Sequence, residues 1–154
     1  MDAYLTAKWL HILSSTVLFG TGIGTAFQMV WAMRSDNPVV IHRTASGVVV
    51  ADWLFTTPAG LLQPATGLWL IHLQGYPMTE PWLLLTYVLY AVAFVAWVPV
   101  VGLQIRIRNL TATATTVPAA AYRAFRIWFA LGWPAFLALI AIFWLMVHRP
   151  PLWG

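Results

Sequence analysis

The chain has 154 residues, 61% of them hydrophobic and 8% charged, with a formal net charge of +4. An average soluble domain is about 45–50% apolar and about 25% charged, so this composition excludes a core coated with solvated side chains and reads as a single integral membrane domain over residues 1–154. The absence of cysteine excludes disulfides, thiolate metal sites, iron–sulfur clusters and covalent c-type haem, and the basic residues gather at the ends of apolar runs rather than along an aromatic-lined groove, which argues against nucleic acid.

The first apolar run, Tyr4–Met33, is long enough to cross a hydrocarbon core of about 30 Å at about 1.5 Å per residue. Its leader carries Asp2 rather than a basic cluster and no small-x-small site closes it, so it is expected to persist as a span rather than be cleaved as a signal peptide. At about 100° per residue, His11, Ser15, Leu18, Gly22, Thr25 and Met29 share one face, with Ser14 at its edge. Ser15 and Gly22 leave a shallow trough beside the imidazole that suits a flat ring. Thr16, Gly20 and Gly24 form a small-xxx-small series on the opposite face, a pattern that permits close helix contact. An ionisable group within a span is costly and usually marks a pathway or a ligand site. His11 is therefore a candidate haem ligand, its second ring nitrogen held by Ser14, Ser15 or a backbone carbonyl. The alternative is a plain hydrogen bond to a carbonyl one helix away.

After RSDNP the second span runs from Gly47 to Leu73. Asp52, in VVVADWLFTTP, is the only carboxylate inside a predicted span and needs a partner. An ion pair with Arg43, Arg106 or Arg126 is the expectation, and proton transfer the alternative. Gln63 lies between Pro58 and Pro64, each of which frees a carbonyl one turn earlier, so its amide is expected to reach such a carbonyl or a ligand. His72 ends the span in GLWLIHLQGY, within about 5–6 Å of the level of His11, and is the candidate second ligand.

QGYPMTEP leads into the third span, Trp82–Leu103, and RNLTATATTVPAA into the fourth, Phe125–Val147. Pro99 and Pro134 bend these spans. Trp97 and Trp133 lie deep enough to wall a porphyrin, while Trp53, Trp69, Trp82, Trp128 and Trp144 suit interfacial belts. His148 near the end and His42 in VVIHRT read as solvated and surface residues. Short connections make neighbouring spans antiparallel, which predicts an all-α, four-helix up-down bundle in the membrane. Arg34, Arg43, Arg106, Arg108, Arg123 and Arg126 then share one end and both termini the other. The positive-inside rule places the arginines in the cytoplasm and the termini on the periplasmic side of a bacterial inner membrane.

The motifs AKWLHIL, DWLFTTPA with QPATGLWL, and RIWFALGWPAFLALIAIFWLMV identify the chain as resembling a family of four-span bacterial integral membrane proteins of undefined function, over nearly its whole length. Lys8, Leu10 and His11, then Pro58, Ala59 and Gly67, then Arg123, Arg126 and Pro150 make it more distantly similar to HemJ-type protoporphyrinogen oxidases and to CopD-type membrane domains. That resemblance implies b-type haem on His11. The Asn-Glu pair that the oxidases carry after the arginines of the last span is absent, as is a lysine early in the third span.

The sequence thus leads us to expect a haem b protein, with His11 and His72 as metal ligands and Ser15 and Gly22 beside the ring. It would pass electrons between its haem and a membrane quinol or a periplasmic partner. A protoporphyrinogen oxidase-like enzyme and a cofactor-free accessory subunit are the rival expectations. In the accessory-subunit reading the glycine face contacts another membrane protein; copper or zinc at the outer histidines and a homo-oligomer are further alternatives.

Overall fold

The computed structural model describes residues 2–152 and is helical, with no strand among the described residues. The first and the last two positions of the expected domain lie outside that range.

Helix α1 (Ala3–Arg34) starts where the Asp2 carboxylate accepts the Tyr4 N–H at 3.1 Å, satisfying one of the open donors of a first turn. After a tight turn in which Asp36 has φ 48°, Asn37 accepts the N–H groups of Val39 and Val40. Pro38 follows at the first helical position, where its missing donor costs nothing. The second helix, α2 (Pro38–Gln74), therefore begins well before Gly47, the start expected from hydropathy. The cap and the proline set that start, and neither contributes to an apolar run.

Within α2, Asp52–Thr56 form a π-helical turn. Pro58 follows closely and cannot donate to the regular ladder; the wider turn shifts the register by a residue just before that break. α2 ends on Gly75 in the left-handed conformation, φ 68°, with its N–H on the His72 carbonyl. α3 (Pro81–Thr111) and α4 (Ala119–His148) complete the chain. All four helices are long and apolar enough to cross a membrane, and each overshoots the apolar run predicted for it.

The helices form an up-down bundle: α1 lies along α2, the first half of α2 packs on α3, and α3 pairs with α4 over its length. Phe19 closes α1 on α4, stacked against Phe136 and edge-on to Phe143, both at 5.3 Å between ring centres. One core cluster, with Met29, Ile41, Val48, Ile107 and Trp128, fills the arginine-rich end. A second, with Ile71, Trp82, Leu83 and Leu145, fills the end that carries the termini. There Arg149 lays its guanidinium over Tyr76 and Trp82 and donates to the Tyr76 hydroxyl at 2.5 Å. Phe27, Leu61, Val95 and Val147 point outward and stay exposed, as expected of helices whose outer face meets lipid.

The Thr16–Gly20–Gly24 face does not meet a helix of this chain. Thr16 and Gly20 are exposed, and a methyl group added at Gly20 or Gly24 would touch nothing within 4 Å. The face that packs instead runs through Ala7, Ser14, Thr25, Met29 and Ala32.

Candidate functional site

Inside the bundle, the polar groups of α1 and α2 meet at the level of His11. The imidazole reaches across to α2, where its Nδ1 lies 2.8 Å from the Thr66 hydroxyl. That hydroxyl is buried, and its own hydrogen goes to the Leu62 carbonyl at 2.6 Å, with a longer approach to the Gln63 carbonyl. Thr66 is therefore an acceptor towards the ring, which fixes the hydrogen on Nδ1 and leaves the lone pair on Nε2. The Gln63 backbone carbonyl is a second acceptor beside the ring, and no hydrogen bond to Nε2 is found among the described residues.

Two neighbours make room for the ring and hold its backbone. A methyl group added to Gly67 would lie 3.3 Å from His11 Cε1, so the absent side chain is what lets the imidazole sit flat against α2. The Gln63 amide donates twice, to the His11 carbonyl at 2.7 Å and to the Ser14 hydroxyl at 2.6 Å. Ser14 in turn donates to the His11 carbonyl at 3.2 Å. The hydrogens of Thr66, Gln63 and Ser14 are accounted for, and among the described residues the Nε2 lone pair of His11 and the Oε1 of Gln63 have no donor.

The other expected site residues are placed differently. Ser15 donates to the Ile12 carbonyl of its own helix at 2.7 Å, so Thr66, and neither serine, orients the imidazole. Gly22 is exposed three turns further along α1, with nothing within 4 Å of an added methyl. His72 is exposed and lies about 120–140° around α2 from Thr66 and Gly67, so the two expected ligands do not share a face. It lines a cavity of ≈ 400 Å³ at the terminal face with Leu68, Ile71, Tyr76 and Met78, a cavity that His11 does not line. His148 is tied to its own helix, its Nδ1 3.1 Å from the Trp144 carbonyl and its ring stacked on that indole. Among the described residues, no group of three or more His, Asp or Glu is placed to hold a metal ion.

Three expectations about polar groups need correction. Among the described residues Asp52 makes no ion pair; it is buried and accepts from the Thr56 hydroxyl at 2.7 Å, with the buried side chain of Gln104 on α3 beside it. Asp52 continues the inward face that Ile41, Ala45, Val48 and Val49 mark at helical spacing, whereas Arg43, Arg106 and Arg126 are exposed. His42 is half-buried, its Nδ1 2.8 Å from the Arg108 carbonyl, and so ties α2 to the last turn of α3. The carbonyl that Pro64 frees, that of Gly60, takes its hydrogen bond from the Tyr90 hydroxyl and not from Gln63.

Thr66 and Tyr90 were not singled out by the sequence. The signal for Thr66 was present in QPATG, where it follows Gln63 by one turn; the signal for Tyr90 was the proline itself, which requires a donor from somewhere.

Over residues 5–150 the chain matches the model of a family described as "Predicted integral membrane protein (DUF2269)". No curated protein and no solved structure matches it.

Proposed function

The chain belongs to that family of integral membrane proteins, and on this premise we propose that it binds one b-type haem through His11 and passes single electrons between that haem and a membrane quinol or a partner at the terminal face. The observation that carries the reading is the tautomer. Histidine ligands almost always donate their second ring N–H to an oxygen, and His11 donates from Nδ1 to Thr66 while Nε2 keeps an unshared lone pair.

The donor set fits one axial bond per chain. His11 supplies the nitrogen, Thr66 sets its orientation and basicity, Gly67 leaves space for the ring, and Gln63 with Ser14 fixes the backbone. His72, on another face of α2, is not a ligand in this reading. Bound haem supplies reversible one-electron chemistry, and the apolar helices around it exclude water. With the arginine-rich end in the cytoplasm, His11 lies in the outer half of a bacterial inner membrane.

The test is optical. Protein purified in mild detergent from haem-replete cells is expected to show a Soret band and a b-type reduced-minus-oxidised band, both lost in His11→Ala and both kept in His72→Ala. A colourless preparation would overturn the reading in favour of an accessory subunit without a cofactor. Oxygen-dependent porphyrin formation by the coloured protein would move it to the oxidase.

A further inference from the structure

A second polar cluster lies deeper in the bundle, away from His11, and neither haem nor electron transfer makes use of it. Asp52 is 4% exposed and Gln104 2%, and they come from facing helices. The pairing of His11 with Thr66 and of Ser14 with Gln63 sets the register of α1 against α2. In that register Asp52 stands about 10 Å from the mid-level of α1 on the arginine-rich side, roughly 5 Å inside the hydrocarbon. We propose that Asp52 and Gln104 form a reversible proton-binding site within the membrane.

The argument begins with what faces the carboxylate. The Thr56 hydroxyl donates to it at 2.7 Å, the Gln104 side chain lies beside it, and among the described residues no charged group pairs with it. From α1, Arg34 is exposed at the helix end; from α2, Arg43 is exposed and His42 is committed to the Arg108 carbonyl; from α3, Arg106 is exposed. A buried carboxylate without a counter-ion is a poor structural device, since an apolar residue would pack there at less cost. Such groups in membrane spans usually serve ion or proton movement.

Gln104 is a partner suited to both protonation states. Its amide presents N–H groups that donate to an ionised carboxylate, and half a turn about its last side-chain bond presents the carbonyl, which accepts the O–H of the neutral acid. The Gln104 Oε1 is fully buried and has no hydrogen-bond partner, so an acceptor beside the acid is held ready. An apolar core does not leave such an atom unsatisfied without reason. The helix completes the device: Asp52 stands on its inward face, one turn after the buried Val48 and Val49, and in the π-helical turn Thr57 covers the Asp52 backbone carbonyl at 2.9 Å. Proton uptake converts carboxylate to carboxylic acid, with the proton drawn from water on the arginine-rich side. The hydrogen bond to Gln104 then reverses direction.

The chain has just four Asp and Glu side chains, and the other three, Asp2, Asp36 and Glu80, lie at helix ends or in turns, so infrared spectroscopy can assign this one. Full-length protein in lipid nanodiscs would be titrated with pH while difference spectra are recorded in H₂O and D₂O. The expected result is a carboxylic-acid C=O band that titrates reversibly, moves in D₂O and vanishes in Asp52→Asn. In Gln104→Leu its midpoint is expected to move by about one pH unit or more. Asp52→Glu serves if the asparagine variant fails to fold, and should keep the band at a changed frequency. Spectra of wild type that show no such band, or one that survives Asp52→Asn, would overturn the proposal. The signal does not depend on haem, so its loss and the loss of a Soret band are separate outcomes.

Discussion

The imidazole of His11 was conspicuous in the sequence because lipid penalises an unpaired polar ring. What it would bond to was not. Thr66 sits 55 residues away in the chain, and only the register of α1 against α2 brings them to 2.8 Å. Two substitutions test the assignment. Replacing the acceptor, Thr66→Val, leaves Nδ1–H without a partner and is expected to weaken haem binding about 10- to 100-fold in titrations of the apoprotein. Gly67→Ala presses a methyl to 3.3 Å from the ring and is expected to lower stability by about 1–3 kcal/mol, read as the midpoint of thermal unfolding in detergent. Gly20→Ala, where nothing is touched, should not destabilise. Asp52 teaches the same lesson in reverse. Its depth was legible from hydropathy and its direction from the helical spacing of Ile41, Ala45, Val48 and Val49, but Arg43, Arg106 and Arg126 are exposed, so the side chain it meets on that face is Gln104 and not an arginine.

At the level of elements, all four helices were legible because about 20 apolar residues in lipid leave the backbone no option but to bond to itself. Their ends were less so, since Asn37 with Pro38 extends α2 far outside the bilayer-length run. The prolines were read as kinks with a freed carbonyl, and that carbonyl exists at Gly60, but the donor comes from the next helix as Tyr90. This makes a double-mutant cycle informative. Tyr90→Phe is expected to cost about 1–3 kcal/mol in thermal or denaturant unfolding, because a carbonyl in an apolar setting loses the donor that Tyr90 supplies. In a Pro64→Ala background the same change should cost clearly less, since the restored N–H of residue 64 can reach Gly60. Equal costs in both backgrounds would show that the hydroxyl acts elsewhere.

For the whole molecule, the sequence predicted a bundle whose six arginines gather at one end, and the structure has that shape, with α4 returning to the loop between α2 and α3 beside Arg149. The proposed direction of insertion rests on charge alone. Because the chain has no cysteine of its own, single cysteines placed at Met78 and Thr113 report it cleanly. A membrane-impermeant maleimide is expected to label the first in intact cells and the second only after permeabilisation. The convergence of imidazoles was the weakest part of the sequence reading, because equal depth does not mean a shared face. His72 and His148 end near the terminal surface, while His11 turns into the interface of α1 with α2. Chemical rescue at that residue tests the account most directly. His11→Gly should purify without a b-type spectrum and regain one when imidazole is added with haem. Haem retained by His11→Gly with an unchanged spectrum, or a wild type that takes up none, would contradict it.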